Sequence, residues 1–143
     1  MTHSPEIVHA TTVSINGKGV LIVGPSGSGK SSLALQLIAL GANLVADDRT
    51  QITLVDQVVV ATVPGAIRGL IEARGVGLIH APDGGPTPLD LVVDMSITEK
   101  QRLPQMHHYS VFGITLRCLH NAPSPHFAAA IWLYVRSTLD TSL

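Results

Sequence analysis

The chain of 143 residues is poor in cysteine and in charged residues. Its single cysteine, Cys118, excludes an intrachain disulfide framework and fits a reducing compartment. Charged residues make up only 13% of the chain, and the formal net charge is −1. Such a balance excludes a disordered acidic or basic tail and argues against nucleic acid as the main partner. We therefore expect a folded domain that does not act on nucleic acid.

Long apolar runs are also missing. The longest run, residues 127–135, is far too short to cross a bilayer. The opening residues 1–6 lack the basic and then apolar pattern of a secretory signal. We therefore expect no membrane partner and a cytoplasmic location. Hydrophobic residues still make up 45% of the chain, enough for one core, so we expect one domain over residues 1–143.

The hydrophobic pattern and the turn signals predict an α/β domain. Leu33, Leu37 and Leu40 keep helical spacing over residues 31–40, and Gly41 stands where a helix C-cap belongs. A second helix is predicted over residues 125–139. Residues 66–73 are predicted as a short helix or loop, and residues 81–88 and 96–106 as irregular. Strands are predicted at residues 7–15, 19–23, 43–46, 76–80, 89–95 and 112–119, with a hairpin formed by residues 52–54 and 58–63.

A complete phosphate-binding loop (P-loop) lies between the strand at residues 19–23 and the helix after it. Glycines let successive backbone N–H groups turn inward around an anion, and the helix N-terminus adds its positive dipole end. We expect Lys30 to reach the β- and γ-phosphates of ATP and the Ser31 hydroxyl to bind Mg²⁺. The motif G-x-x-x-x-G-K-[ST] is matched by Gly24, Pro25, Ser26, Gly27, Ser28, Gly29, Lys30 and Ser31.

Two adjacent carboxylates, Asp47 and Asp48, end the strand that follows the P-loop helix. Ligands of open α/β sheets bind at the carboxyl ends of strands. Neighbouring side chains on an extended chain point to opposite sides, so one carboxylate can face the phosphates while the other faces structure or metal. The alternative is an ordinary acidic turn before Arg49.

The histidines of the second half do not match a zinc pattern. The spacing of His107, His108, His120 and His126 fits no known ligand set, and Cys118 offers a single thiolate. We therefore predict that these residues do not form a structural zinc site.

Three segments, in this order, resemble the C-terminal catalytic domain of HPr kinase/phosphorylase. They are the P-loop, LVADDR at residues 44–49 and IEARGVGLI at residues 71–79. The resemblance runs from about His9 to the C-terminal helix. It implies a P-loop domain of the HPr kinase and phosphoenolpyruvate carboxykinase-like type, an α/β fold with a mixed sheet and flanking helices. It also implies an ATP- and Mg²⁺-dependent enzyme that phosphorylates a seryl hydroxyl of the phosphocarrier protein HPr, and a homo-oligomer, typically a hexamer.

The same resemblance implies roles for individual residues. Lys30 and Ser31 match the phosphate and magnesium residues of the family, and Asp48 matches its catalytic base. Glu72 matches a magnesium-site carboxylate of the family, His9 an active-site histidine and Arg102 a catalytic arginine.

Two segments differ from the longer family members. Residues 82–88 are proline-rich where a glycine-alanine-rich loop is usual, and residues 121–125 lack the basic residue of a loop associated with dephosphorylation. The kinase reaction is therefore expected more strongly than the reverse phosphorolysis, and the chain resembles the short forms found in alphaproteobacteria. Two other functions stay open, a small-molecule P-loop kinase and a non-enzymatic nucleotide-binding sensor of the phosphotransferase system.

Overall fold

A nine-stranded mixed sheet and two helices make up most of the computed structural model, which describes residues 4–65 and 68–137. Strands β7 and β8 form a separate two-stranded hairpin. The elements in chain order are β1 (Glu6–Val8), β2 (Ala10–Ile15), β3 (Lys18–Val23), α1 (Lys30–Leu40), β4 (Asn43–Ala46), β5 (Thr50–Val55), β6 (Val58–Thr62), β7 (Leu70–Ala73), β8 (Gly77–His80), β9 (Thr87–Thr98), β10 (His107–Val111), β11 (Ile114–Asn121) and α2 (Phe127–Ser137).

Strand β9 is the centre of the large sheet. The strand order is β1-β5-β6-β9-β3-β2-β4, and β11 also pairs with β9 and carries β10 at its outer side. β9 runs parallel to β3 and to β11 but antiparallel to β6, which it meets only at Thr87 and Pro88. The predicted mixed sheet is therefore confirmed. Because β3 and β9 are parallel, the P-loop after β3 lies at the same edge of the sheet as the end of β9.

The central strands are buried on both faces, which explains their continuous apolar runs. Val20 and Ile22 of β3 belong to one core cluster with residues of α1 and α2, among them Leu37 and Ile131. Leu21, between them, belongs to a second cluster with residues of β5, β6 and β11. Both helices thus pack on one face of the sheet. The second cluster lies on the opposite face and is formed by residues of the sheet itself, including β5, β6, β10 and β11.

Helix α1 has the predicted position and the predicted end. It begins at Lys30, one residue before the predicted start, and Gly41 follows it with a φ of 126°. The Gly41 N–H donates to Ile38 O at 2.9 Å. A Cβ at Gly41 would come within 3.0 Å of Cη2 of Trp132 in α2, so the end of α1 packs tightly against the last helix.

Several predicted strand boundaries are wrong, each for its own local reason. The strand expected at residues 7–15 is interrupted at His9, since β1 pairs with β5 whereas β2 pairs with β3 and β4. Phe112, expected inside a strand, has a φ of 52° and forms the turn between β10 and β11. The expected irregular stretch 96–106 is partly strand, because β9 continues to Thr98, which pairs with Asn121.

The segment predicted as a short helix or loop at residues 66–73 is also partly strand. Leu70 to Ala73 form β7, which pairs with β8 in register Leu70↔His80, whereas Ala66 and Ile67 lie outside the described residues. Helix α2 confirms the second predicted helix within its bounds, and residues 138–139 again lie outside the described part. In the part of the chain that the structure describes, no helix is both long and apolar enough to cross a membrane.

Candidate active site

The P-loop backbone adopts positive φ angles at its three glycines. Gly24, Gly27 and Gly29 have φ values of 143°, 81° and 99°, in a region that side chains disfavour. A Cβ at Gly24 would lie 2.8 Å from Ser28 Oγ and 3.1 Å from Met95 Cβ, so a larger residue does not fit. No side chain caps the start of α1, and its first turn holds no acid. The positive end of the helix dipole is therefore left for an external anion.

Lys30 is buried beneath this loop. Its Nζ donates to Gly24 O at 2.8 Å and to Pro25 O at 3.0 Å. An ammonium group carries three protons, so one proton stays for a phosphate oxygen. Ser28 Oγ is also buried and has no hydrogen-bond partner among the described residues. A buried hydroxyl without a partner is costly, and a phosphate oxygen would satisfy it. The P-loop therefore fits a phosphate group.

Asp47 is the best-connected side chain of the site. Its Oδ1 accepts hydrogen bonds from Ser31 Oγ at 2.7 Å and from Thr11 Oγ1 at 3.0 Å. Its Oδ2 accepts one from the Glu72 backbone N–H at 3.3 Å. A P-loop hydroxyl beside a carboxylate is the pair that holds Mg²⁺ in many P-loop enzymes. The donor set therefore fits Mg²⁺. The sequence predicts Ser31 and Glu72 as metal residues, and the structure adds Asp47 as a candidate ligand.

Asp48 has different partners from Asp47, although both residues line one cavity. The alternation expected for an extended strand does not apply here, because β4 ends at Ala46 and both aspartates follow it in a bend. The Asp48 φ of 68° is in the left-handed region, which Asp tolerates better than most residues. Its backbone N–H donates to Thr11 Oγ1 at 3.1 Å, and His9 Nε2 lies 2.7 Å from its Oδ1. The Asp48 side chain is 66% exposed and that of His9 46% exposed. The Asp48 carboxylate is therefore accessible to a large substrate.

Thr11 contacts both aspartates with one hydroxyl, which donates to the Asp47 carboxylate and accepts from the Asp48 backbone N–H. It is buried in β2, beside the point where β4 ends. The sequence prediction did not single out Thr11, because the residue lies in an ordinary β-branched strand with no motif around it.

One cavity of about 620 Å³ connects most of the predicted site residues. It brings Lys30 and Ser31 together with Asp48 and Glu72, and His9 joins them through its contact with Asp48. Glu72 comes from β7, so the small hairpin forms one wall of the cavity. The lining residues are Ser26, Gly27, Gly29, Lys30, Ser31, Ser32, Leu35, Asp47, Asp48, Glu72, Ala73, Arg74 and Val76.

Arg102 is not part of this arrangement. It follows the end of β9, is exposed and does not line the cavity. Its catalytic role stays a prediction.

Comparison with known families identifies the first half of the chain. The family model described as "HPr Serine kinase C-terminal domain" matches residues 2–83. The matched range contains the P-loop, both aspartates and Glu72. The chain belongs to this family.

Curated relatives with the name HPr kinase/phosphorylase match the same region. The protein of Clostridium acetobutylicum is 45% identical over 75 residues, which cover 52% of this chain and 25% of the relative. The protein of Clostridium tetani is 35% identical over 109 residues, which cover 75% of this chain and 36% of the relative. The chain thus spans only about a quarter to a third of the length of these relatives.

A solved structure supports the fold beyond the family match. The structure described as the Hpr(Ser) kinase/phosphatase from Coxiella burnetii superposes with a TM-score of 0.77, covering 94% of this chain and 90% of that chain. The two sequences are 24% identical. The predicted fold type, an α/β domain of the HPr kinase type, is therefore confirmed.

Proposed function

We propose that this chain transfers the γ-phosphoryl group of ATP to a seryl hydroxyl, and that the phosphocarrier protein HPr carries this serine. The observation that carries the proposal is the geometry of one cavity. Lys30 and Ser31 form its inner wall, and the Asp48 carboxylate lies exposed at its rim. The names of the curated relatives support HPr as the acceptor.

The P-loop would bind the phosphates of ATP. Lys30 and the N-terminus of α1 supply positive charge, and glycine backbone N–H groups approach the phosphate oxygens without side chains in the way. Phosphoryl transfer depends mainly on positioning and charge neutralisation. The buried Lys30 would therefore neutralise negative charge that develops on the β- and γ-phosphates during transfer.

Ser31 and Asp47 would hold Mg²⁺, with Glu72 directly or through water. The hydrogen bond from Ser31 to Asp47 already brings a hydroxyl and a carboxylate together. Oxygen ligands of this kind suit Mg²⁺. When bound, Mg²⁺ neutralises charge on the ATP phosphates.

Asp48 would serve as the general base. The seryl oxygen forms a bond to the γ-phosphorus, its proton passes to the Asp48 carboxylate, and the bond to the bridging oxygen of ADP breaks. His9 contacts Oδ1, which leaves Oδ2 for the serine. In phosphorolysis an oxygen of inorganic phosphate forms a bond to the phosphorus of phosphoserine, the bond from that phosphorus to the seryl oxygen breaks, and pyrophosphate leaves. Protonated Asp48 gives its proton to the seryl oxygen. Arg102 is a further candidate for neutralising phosphate charge.

The exposed Asp48 favours a protein acceptor over a small molecule. A small-molecule kinase normally encloses its acceptor, whereas the carboxylate here is 66% exposed. The sensor alternative predicts nucleotide binding without transfer.

A labelling experiment tests the proposal. The purified chain is incubated with γ-labelled ATP, Mg²⁺ and HPr, and phosphoamino acid analysis locates the label. The expected result is Mg²⁺-dependent label on serine of HPr and none on an HPr variant whose acceptor serine is alanine. Tight nucleotide binding without any label on HPr would contradict the kinase proposal and favour the sensor.

We also propose that the chain forms a homo-oligomer in the cytoplasm. The β7–β8 hairpin exposes apolar side chains, with Val76 at 78% and Leu78 at 70% exposure, and the family resemblance points to a hexamer. Light scattering at working concentration is expected to give a mass above that of one chain.

A further inference from the structure

Three side chains outside the proposed active site converge at the end of β9. Glu99 follows that strand, His107 begins β10 and His120 lies near the end of β11. Their donor atoms all lie within 4.8 Å of one another. None of the three lines the P-loop cavity. They therefore form a separate group, which we call the histidine cluster.

The backbone fixes the positions of these residues. His107 is the register partner of Cys118, and His120 follows two residues later, so both imidazoles are on the same face of the hairpin. The Glu99 N–H donates to Asn121 O at 2.8 Å, which ties the end of β9 to β11 beside His120. The histidine cluster thus rests on paired strands rather than on a free loop.

Hydrogen bonds also orient the Glu99 carboxylate. Oε2 accepts from the backbone N–H groups of Lys100 at 3.1 Å and Gln101 at 3.0 Å. Oε1 lies 2.8 Å from His107 Nε2. The side chains of Glu99 and His107 are only 12% and 29% exposed. The two backbone hydrogen bonds to Oε2 hold the carboxylate in place, as outer partners do for a metal ligand, and leave Oε1 toward His107.

The two imidazole rings lie against each other. The ring centroids of His107 and His120 are 3.7 Å apart, and the ring planes differ by 10°. A shared ion would require the rings to tilt toward each other, and the last torsion of histidine is broad enough for such a rotation. Two ligands at about 2.0–2.1 Å from one tetrahedral ion are about 3.3 Å apart, so the contact between Glu99 and His107 would widen only slightly.

We propose that Glu99, His107 and His120 bind a divalent transition-metal ion of the Zn²⁺ type. Two neutral imidazoles and one carboxylate are a common zinc donor set, and they leave a fourth position for water. Imidazole also selects against Mg²⁺, which prefers oxygen ligands. The site therefore differs in metal preference from the one proposed at Ser31 and Asp47. It also contradicts the expectation from sequence spacing that these histidines form no zinc site.

The proposed ion would join the two ends of the segment at residues 100–106. Glu99 and His107 stand at the two ends of residues 100–106, and this segment carries Arg102. A bound ion would join both ends of the segment to β11. It would therefore order the chain around the arginine that the family resemblance identifies.

Zinc titration of the full chain tests this proposal. ZnCl₂ is titrated without nucleotide, in competition with a chromophoric chelator, into the wild type and into three variants. We expect one ion per chain, and an affinity that falls about tenfold or more in both His107→Gln and His120→Gln. His108→Gln is the matched control, because His108 is the neighbour of His107 on the opposite face of β10. Its affinity should equal that of the wild type.

A measurement on the unmodified chain covers the case in which a variant misfolds. In an ¹⁵N-histidine NMR spectrum, Zn²⁺ should shift the ring nitrogens of two histidines, which the variants assign to His107 and His120. Ring nitrogens of these two residues that do not respond to Zn²⁺ would overturn the proposal. So would wild-type affinity in both variants, or an equal loss in His108→Gln.

Discussion

The two halves of the chain use their polar residues in different ways. Up to β8, polar side chains gather around an open cavity of about 620 Å³ and leave exposed groups such as Asp48 at its rim. From β9 onward, the chain supplies the central strand and the last helix. Its carboxylate at Glu99 is bonded within the protein, to the Lys100 backbone N–H and to the His107 ring. The family model ends at residue 83, between the two.

This difference separates an open site, proposed for a substrate with Mg²⁺, from a closed one, proposed for a transition-metal ion alone. In the first half, the Asp47 carboxylate accepts three hydrogen bonds, whereas the Asp48 carboxylate has one hydrogen bond, with His9, and is accessible. In the second half, the carboxylate of Glu99 is held by backbone N–H groups and an imidazole. We therefore expect substitutions at the first site to change ATP binding, Mg²⁺ dependence or phosphoryl transfer, and substitutions at the second to change Zn²⁺ affinity or stability.

The broadest effect, on both ATP binding and phosphoryl transfer, is expected from Lys30→Ala. The variant removes the buried ammonium group of the P-loop, so ATP affinity measured by calorimetry should be lost and phosphoryl transfer should fall by about 10²–10³ or more. Lys100→Ala, an exposed lysine of the second half, serves as the control and should change neither. Near wild-type ATP binding by Lys30→Ala would contradict the assignment of the first-half cavity as the nucleotide site.

A smaller effect is expected from Asp47→Asn. The amide keeps the shape but loses the negative charge beside Ser31, so the Mg²⁺ concentration needed for half-maximal activity should rise about 10- to 100-fold. Transfer rates measured against Mg²⁺ concentration give this value. An unchanged Mg²⁺ dependence would assign Asp47 a structural role only.

The contact between the halves is tested by Gly41→Ala. The variant places a Cβ about 3.0 Å from Trp132 in α2 at a φ of 126°. Strain and overpacking should together lower the free energy of unfolding by about 2–4 kcal/mol. Gly113→Ala shares a positive φ, 76°, but its Cβ would contact nothing within 4 Å, so it should cost only about 1–2 kcal/mol. Equal losses in denaturant titrations would show that Trp132 adjusts freely.

The smallest effect is expected from Asp90→Asn on β9. Burial raises the pKa of the Asp90 carboxyl, and the positive charge of Lys18 only partly opposes this. Because the pKa of this carboxyl is higher in the folded chain than in the unfolded chain, its protonated form favours the fold. This contribution to the free energy of unfolding is lost as the pH rises from about 4 toward neutrality and the carboxyl ionises. The variant should therefore be slightly more stable than the wild type at pH 7 and equal to it near pH 3. A variant that is less stable at pH 7 would show that the contact with Lys18 dominates.

The sequence predicted the convergence of the candidate site residues better than the strand boundaries. The P-loop, Asp47 and Asp48 are contiguous segments whose backbone geometry follows from glycines and a strand end, so their convergence could be expected. The break at His9 could not be predicted, because it depends on a change of pairing partner from β5 to β3. Thr11 and the histidine cluster were missed for the same reason, since only strand register brings those residues together.

The role of Asp48 is tested most directly by Asp48→Asn, with Asp56→Asn in the exposed β5–β6 turn as the matched control. Both aspartates have a left-handed φ, which Asn also adopts readily, so neither change should disturb the backbone. We predict that Asp48→Asn binds ATP about as well as the wild type and transfers phosphate to HPr about 10²–10⁴ times more slowly, whereas Asp56→Asn is unchanged. Any phosphorolysis of phosphorylated HPr should fall with the forward reaction. Transfer by Asp48→Asn at the wild-type rate would contradict the assignment of Asp48 as the base.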